Sequence, residues 1–432
     1  GGLREYMTVQ SYAMYKLPPG VDCELGALCE PLAVAVHGLR LVDLRFGERA
    51  PHFRSLRRSV RTAYTRRTAS RAWHPLTPRR PFAASAAGKG RYMKSAALTA
   101  PRTFELREMD MPQPGAGEAL IRVRSVGVCG SDLHFYRGEF PVPSGFVLGH
   151  ECAGEVEALG EGVTGFERGD RVALELFTVC LRCDQCRSGN YHLCPTRTAN
   201  GLNRPGGLRE YMTVQSYAMY KLPPEVDCEL GALCEPLAVA VHGLRLVDLR
   251  FGERVAVLGA GTIGLMALAA AKAMGATWTG ITARHPHQRA MAEALGADAV
   301  FADDGEGIGQ LTAAARDADV VVETVGGHAN TLQEAMSVAG VGGRISVLGA
   351  FTQPVQIHPI TFFLKELRIF GSNCYGRPGR RSDYELAIEI MRGNAASLRP
   401  LITHRFPLAQ VAEAYGTADD KRSGAIKVQI AP

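Results

Sequence analysis

Four cysteines fall within fifteen residues, as Cys180-x2-Cys183-x2-Cys186-x7-Cys194. Thiolates at that spacing can surround one Zn2+ tetrahedrally and leave no open position, so such a metal fixes a loop and binds no substrate. Arg182, Asp184, Gln185, Gly189 and Asn190 between them are loop formers with little to bury. Metal would supply the order that packing cannot. A second set is mixed. Cys129 lies in Val-Cys-Gly-Ser-Asp-Leu-His, His150 and Glu151 in Leu-Gly-His-Glu-Cys-Ala-Gly, and Cys234 and Glu235 in Cys-Glu-Pro. A thiolate, an imidazole and carboxylates suit an open Zn2+ site. Zinc there would act as a Lewis acid on a substrate hydroxyl, so that an alcohol loses its proton near neutral pH and gives up hydride readily.

A hydride needs an acceptor. Arg254-Val-Ala-Val-Leu258 is a short apolar run that enters Gly259-Ala-Gly261-Thr-Ile263-Gly264 and then an Ala/Leu/Met-rich stretch to Met274. Between a strand and a helix, G-x-G-x-x-G brings backbone N–H groups and a helix N-terminus to a pyrophosphate. Further strand-like runs at Ala318–Glu323 and Arg344–Gly349 predict parallel βαβ units. An NAD-specific fold places an acid at the end of its second strand, on the adenosine ribose. Here that strand, Thr277–Thr282, is followed by Ala283, Arg284 and His285. Arg284 could instead pair with a 2′-phosphate, which favours NADP over NAD.

The elements that must position these groups differ in kind. From Met93 onward, short apolar runs such as Ala119–Val126 and Gly154–Leu159 are broken by Gly and Pro and predict a β-rich domain. The order Cys-Gly-Ser-Asp-x-His, Gly-His-Glu, Cys-Glu-Pro resembles the zinc-dependent medium-chain dehydrogenases, nearest the sorbitol and threonine dehydrogenase branch. The resemblance runs from about Met93 to Pro432. It implies an α/β chain with two domains, a GroES-like β-rich catalytic domain and a doubly wound Rossmann nucleotide-binding domain. Residues 93–239 would form the first, with the structural zinc lobe at 180–194; residues 240–375 the second; residues 376–432 the return to the first. It further implies Cys129, His150, Glu151 and Glu235 as ligands of a catalytic zinc, the last favoured over Cys234 by alignment on the Glu-Pro pair. Cys180, Cys183, Cys186 and Cys194 would hold a structural zinc, giving two zincs per chain. Ser131 and His134 would relay the substrate proton towards solvent. A carboxylate ligand fits polyols, which offer two oxygens. The expected activity is oxidation of a secondary alcohol, polyol or threonine-like substrate by NAD(P)+, in a homo-oligomer, tetramer or dimer.

The remaining sequence is unusual. Residues 1–49 repeat 206–254 with one difference, Gly20 against Glu225. Two near-identical copies flanking unrelated sequence point to a partial duplication and not to a stacked repeat fold. The copy carries one of the catalytic ligands. Residues 50–92 hold ten Arg, one Lys and no acid, so the net charge of +6 resides there. That segment is expected to be a disordered basic linker. Binding nucleic acid through it is one alternative function, and a zinc-free NADPH quinone reductase is another; nucleic acid is not the expected partner. The 46% apolar and 21% charged content suits a globular enzyme, with no membrane span and no secretory signal. Eleven cysteines in tight local clusters argue for metal ligation in a reducing, cytoplasmic setting.

Overall fold

The structure is a computed structural model that describes residues 91–432. The readings made for residues 1–49 and 50–90 lie outside the described residues.

The first sheet has seven strands. Their order is Ile402–Pro407, Lys427–Ala431, Glu118–Gly127, Glu151–Leu159, Arg171–Leu174 and Met219–Lys221, with Tyr211–Gln215 also pairing on Glu118–Gly127. All pairs are antiparallel except the first two strands. Ala119, Ile121, Val123 and Val126 are buried in the core while Arg122 is exposed. A hairpin of Tyr92–Ala100 with Thr103–Asp110 flanks this sheet. Its first strand begins at Tyr92, inside the stretch read as linker, because Tyr92 pairs with Asp110 and continues the ladder.

The second sheet has six parallel strands. In space they run Ala299–Phe301, Trp278–Thr282, Arg254–Leu258, Ala318–Glu323, Ala339–Val347 and Arg368–Gly371. Counted along the chain this is 3-2-1-4-5-6, the doubly wound dinucleotide-binding order. Val255–Leu258 and Val320–Val322 are fully buried, as strands covered by helices on both faces must be.

The expected boundary at residues 239/240 falls inside one helix, Cys234–Leu246. Nearly every side of that helix is apolar and buried, and its residues share one core with Ala173 of the first sheet and Val255 and Val257 of the second. A helix buried on all faces joins two layers and cannot serve as a surface linker. After Gly371 the chain runs through the helix Asp383–Leu398, capped by Ser382, and re-enters the first sheet at Ile402. No helix among the described residues is long and apolar enough to cross a membrane.

Candidate active site

Cys129 lies two residues past the strand Glu118–Gly127 and caps the helix Gly130–Arg137. Asp132, in the first turn, is completely buried and accepts the Cys129 backbone N–H at 3.0 Å. His150 precedes the neighbouring strand Glu151–Leu159, so two adjacent strand ends bring it to Cys129. Ser131 Oγ lies 3.3 Å from His150 Nε2, and Asp132 Oδ1 lies 3.3 Å from Nδ1. This last approach is close enough for an ion pair, yet neither atom has a hydrogen-bond partner. Burial disfavours the imidazolium, but the negative charges of Asp132 and Cys129 outweigh it and hold His150 well above its ordinary pKa. An Nδ1 proton facing Asp132 leaves the Nε2 lone pair for a metal, on the Ser131 side.

Glu235 enters from the start of the helix Cys234–Leu246 and is buried. Burial pushes its carboxyl up to about 8; His150 opposes the shift and Glu151 adds to it. Glu151 points elsewhere. Both its oxygens accept from Lys427 Nζ, at 2.7 and 2.8 Å, and Lys427 also donates to Val128 O. Cys234, one residue from Glu235, donates weakly to Leu230 O within the apolar core. The structure therefore sets half-buried Cys129 and Ser131 beside buried His150, brings buried Glu235 near enough to feel the His150 charge, and keeps Glu151 on a lysine. Sequence reasoning had not singled out Asp132 or Lys427. The donor set fits a divalent cation. A thiol, an imidazole and a buried carboxyl whose proton a cation would displace are ligand types that zinc takes.

His134 sits in the last turn of its helix, a quarter exposed, with Nδ1 on the Glu139 carboxylate. Its hydrogen bond to Glu139 holds that carboxyl below the usual range. The histidine thus stands at the rim, between the buried cluster and solvent.

The four cysteines of the lobe converge fully. Among the described residues they are the one set of three or more His, Cys, Asp or Glu whose ligand atoms all lie within 4.8 Å of one another. Cys180 Sγ is 3.9 Å from Cys186 Sγ. Tetrahedral ligation at the usual zinc–sulfur length sets sulfurs about 3.8 Å apart, far beyond a disulfide's ~2 Å. Backbone N–H groups of Arg182 and Cys183 pull Cys180 down to about 6, while burial pushes Cys186 up to about 12. Thiols this close cannot all ionise without a cation among them. The lobe is tied to the fold by Tyr191 Oη donating to Glu175 at 2.6 Å and by Arg377 N donating to Gly189 O at 2.7 Å.

The glycine turn leads from the strand Arg254–Leu258 into the helix Thr262–Ala273. Gly259 has φ +96°, and a Cβ on Gly264 would stand 1.8 Å from Gly259 O, so both positions require glycine. A Cβ on Gly261 would meet nothing within 4 Å, and no side chain caps the helix. Its first N–H groups, with Ile263 half-buried in the first turn, face open space suited to a pyrophosphate. At the second strand's end Ala283 is buried and Arg284 is exposed. Arg284 Nε donates to Asp303 at 2.6 Å, an acid from the end of the third strand that local reading overlooked. Arg289, in the following helix Pro286–Ala294, donates to Val300 O at 2.7 Å.

A sequence profile of the alcohol dehydrogenase GroES-like domain matches residues 115–224, and one of the zinc-binding dehydrogenases matches residues 262–392. Sorbitol dehydrogenase of Halalkalibacterium halodurans is 33% identical over 336 residues, 76% of this chain and 96% of that protein. L-threonine 3-dehydrogenase of Yersinia pseudotuberculosis is 34% identical over 328 residues, 73% of this chain and 94% of that one. Among solved structures, a zinc-binding dehydrogenase from Sinorhizobium meliloti bound to NADP matches with TM-score 0.72 and 30% identity, over 79% of this chain and 100% of that chain. Galactitol-1-phosphate dehydrogenase from Escherichia coli gives TM-score 0.73 and 29% identity over the same shares.

Proposed function

The chain belongs to the zinc-dependent medium-chain dehydrogenases and is an NAD(P)-dependent alcohol dehydrogenase, and from that premise we propose that Cys129, His150 and Glu235 hold its catalytic zinc and that its substrate is a polyol or hydroxy amino acid oxidised at a secondary hydroxyl. The observation that carries this reading is buried His150, flanked by half-buried Cys129 and completely buried Asp132, with buried Glu235 near enough to feel its charge. When bound, zinc lowers the pKa of the substrate hydroxyl and the nicotinamide ring accepts the hydride. Asp132 orients His150. Ser131, beside His150 Nε2, would take the hydroxyl proton while giving its own towards the cofactor ribose, and His134 at the rim, hydrogen-bonded to Glu139, would pass a proton on to solvent. Lys427 holds Glu151 aside through both carboxylate oxygens, in reserve as a ligand.

The substrate class is tested by assaying a panel of polyols, threonine and simple alcohols for cofactor reduction. We expect vicinal diols or threonine to exceed simple primary alcohols in kcat/KM by at least about ten-fold, a difference of ~1.4 kcal/mol in transition-state binding. Equal or better turnover of simple alcohols would overturn the polyol reading.

The second zinc is assigned to Cys180, Cys183, Cys186 and Cys194, and is structural. That lobe and the zinc-binding dehydrogenase match disfavour the zinc-free quinone reductase. The nucleic-acid alternative rests on residues 50–92, all but the last two outside the described residues. None of the described cysteines is in a disulfide, which supports a reducing, cytoplasmic setting. Homo-oligomer formation is supported by exposed Val341, Ile360, Phe363 and Leu364, next to the edge strand Arg368–Gly371.

For the cofactor we propose NADP(H). Ala283 offers no carboxylate to repel a 2′-phosphate, and Arg284 is exposed at its expected place. Asp303 already shares that guanidinium, so the preference should be small, about ten-fold in kcat/KM. Asp303→Asn should widen it and Ala283→Asp should reverse it. Equal or better use of NAD by the wild type, unchanged by either substitution, would refute the assignment.

A further inference from the structure

Glu323 ends the fourth strand in chain order of the nucleotide-binding sheet, beside the strand that leads into the glycine turn. It is completely buried, yet it is a carboxylate in an apolar layer. Its Oε1 accepts three hydrogen bonds, from Val325 N at 2.8 Å, Gly326 N at 2.9 Å and Thr331 Oγ1 at 2.7 Å. Its backbone carbonyl accepts Leu348 N at 2.8 Å and Gly349 N at 3.1 Å, from the loop after the fifth strand. Its Oε2 has no hydrogen-bond partner and stands 2.4 Å from where a Cβ on Gly349 would lie. A Cβ on Gly326 would likewise stand 2.5 Å from Ala350 N. Two loops therefore cross in contact, backbone on backbone, around one carboxylate. The next residue, Thr324, donates through Oγ1 to Leu258 O at 2.8 Å, with Gly259 O at 3.2 Å, and so joins this crossing to the glycine turn.

Dinucleotides lie across the carboxyl ends of such a sheet at the switch point, here between Arg254–Leu258 and Ala318–Glu323, with one mononucleotide on each half. The adenosine half belongs to the first three strands and the nicotinamide half to the last three. We propose that Glu323 is a positioning residue for hydride transfer: its buried carboxylate fixes the loop Thr324–Gly327, against which its backbone carbonyl holds the loop Leu348–Ala350, in the shape on which the nicotinamide half of the cofactor rests. It acts through those loops and touches neither substrate nor cofactor. A carboxylate does this better than an apolar side chain, because three donors converging on one charged oxygen lock their loop, and charge-assisted bonds are the stronger ones. The inference rests on the cofactor seat proposed above.

The test compares two ligands by titration of zinc-loaded protein: the reduced cofactor, and its 2′-phosphoadenosine diphosphate fragment, which lacks the nicotinamide riboside. Glu323→Ala is expected to weaken the cofactor about ten-fold or more while leaving the fragment within about two-fold. The cofactor KM should rise, kcat should fall and the alcohol KM should hardly move. Glu323→Gln, which keeps one carbonyl acceptor, should recover most of the loss. A role in stability alone would lower the melting temperature and leave the ratio of the two affinities unchanged; that result would overturn the proposal. If Glu323→Ala does not fold, Thr331→Val takes its place. It removes one donor and should weaken the cofactor selectively by about three-fold, and no selective loss would overturn the proposal equally. Gly264→Val serves as the control for the seat itself. Undiminished binding of both ligands by Gly264→Val would refute the seat, whereas its failure to bind either, alongside an unaffected Glu323→Ala, would refute this inference alone.

Discussion

His150→Ala should lower kcat/KM for the best alcohol by about a thousand-fold or more while the protein remains folded. The Lewis acid supplies several kcal/mol of charge stabilisation in the transition state, and each ~1.4 kcal/mol is ten-fold in rate. His150 is the one imidazole in the cluster, and its loss leaves Cys129 and buried carboxylates that face one another without it. Cys129→Ser should behave similarly, since a hydroxyl does not replace a thiolate at neutral pH. Both variants should lose one zinc per chain and keep the other. Asp132→Asn should fall between them and the wild type, because it preserves the shape that orients His150 but removes the charge. Metal analysis beside the rate assay separates these outcomes. A variant that kept wild-type rate after losing a zinc would place the chemistry elsewhere.

Cys183→Ala should do the reverse. The closed lobe presents no open coordination position and meets the fold through Tyr191 and Gly189, away from Ser131 and His150. Zinc in such a site contributes directly to folding, about 10–16 kcal/mol in small peptides. Only part of that reaches global stability here, because the lobe can open locally while the sheets stay packed. A loss of a few kcal/mol lowers the melting temperature by about 5–10 °C in a domain of this size. Freshly purified variant should retain kcat within about three-fold, with one zinc fewer and faster inactivation on warming. Unchanged melting and unchanged zinc content would show that the cysteines hold no metal.

These predictions differ in how far the sequence alone supported them, and the reason is distance along the chain. Cys180 to Cys194 and Gly259 to Gly264 are local patterns, and the geometry that they imply is complete within fifteen residues. The short apolar runs of Ala119–Val126, Arg254–Leu258 and Ala318–Glu323 revealed their strands for the same reason. Asp132 stood in plain view inside the Cys-Gly-Ser-Asp motif. Its role depends on complete burial, which spacing does not report. Lys427 lies 276 residues beyond Glu151, and nothing near either residue announces the pairing that draws Glu151 away from Cys129. Asp303 is separated from Arg284 by a helix and a strand, and parallel neighbours bring their carboxyl ends together. The helix Cys234–Leu246 hid the domain boundary because its apolar residues lie in one core shared by strands of both sheets.

The central claim is that alcohol oxidation depends on a zinc held at Cys129 and His150. The most direct measurement is alcohol-dependent cofactor reduction by protein stripped with a chelator until one zinc per chain remains, followed by titration with zinc. The stripped protein should be inactive, and activity should return in proportion to zinc added, saturating at one equivalent. Full turnover by protein that holds no metal at Cys129 and His150 would contradict the account.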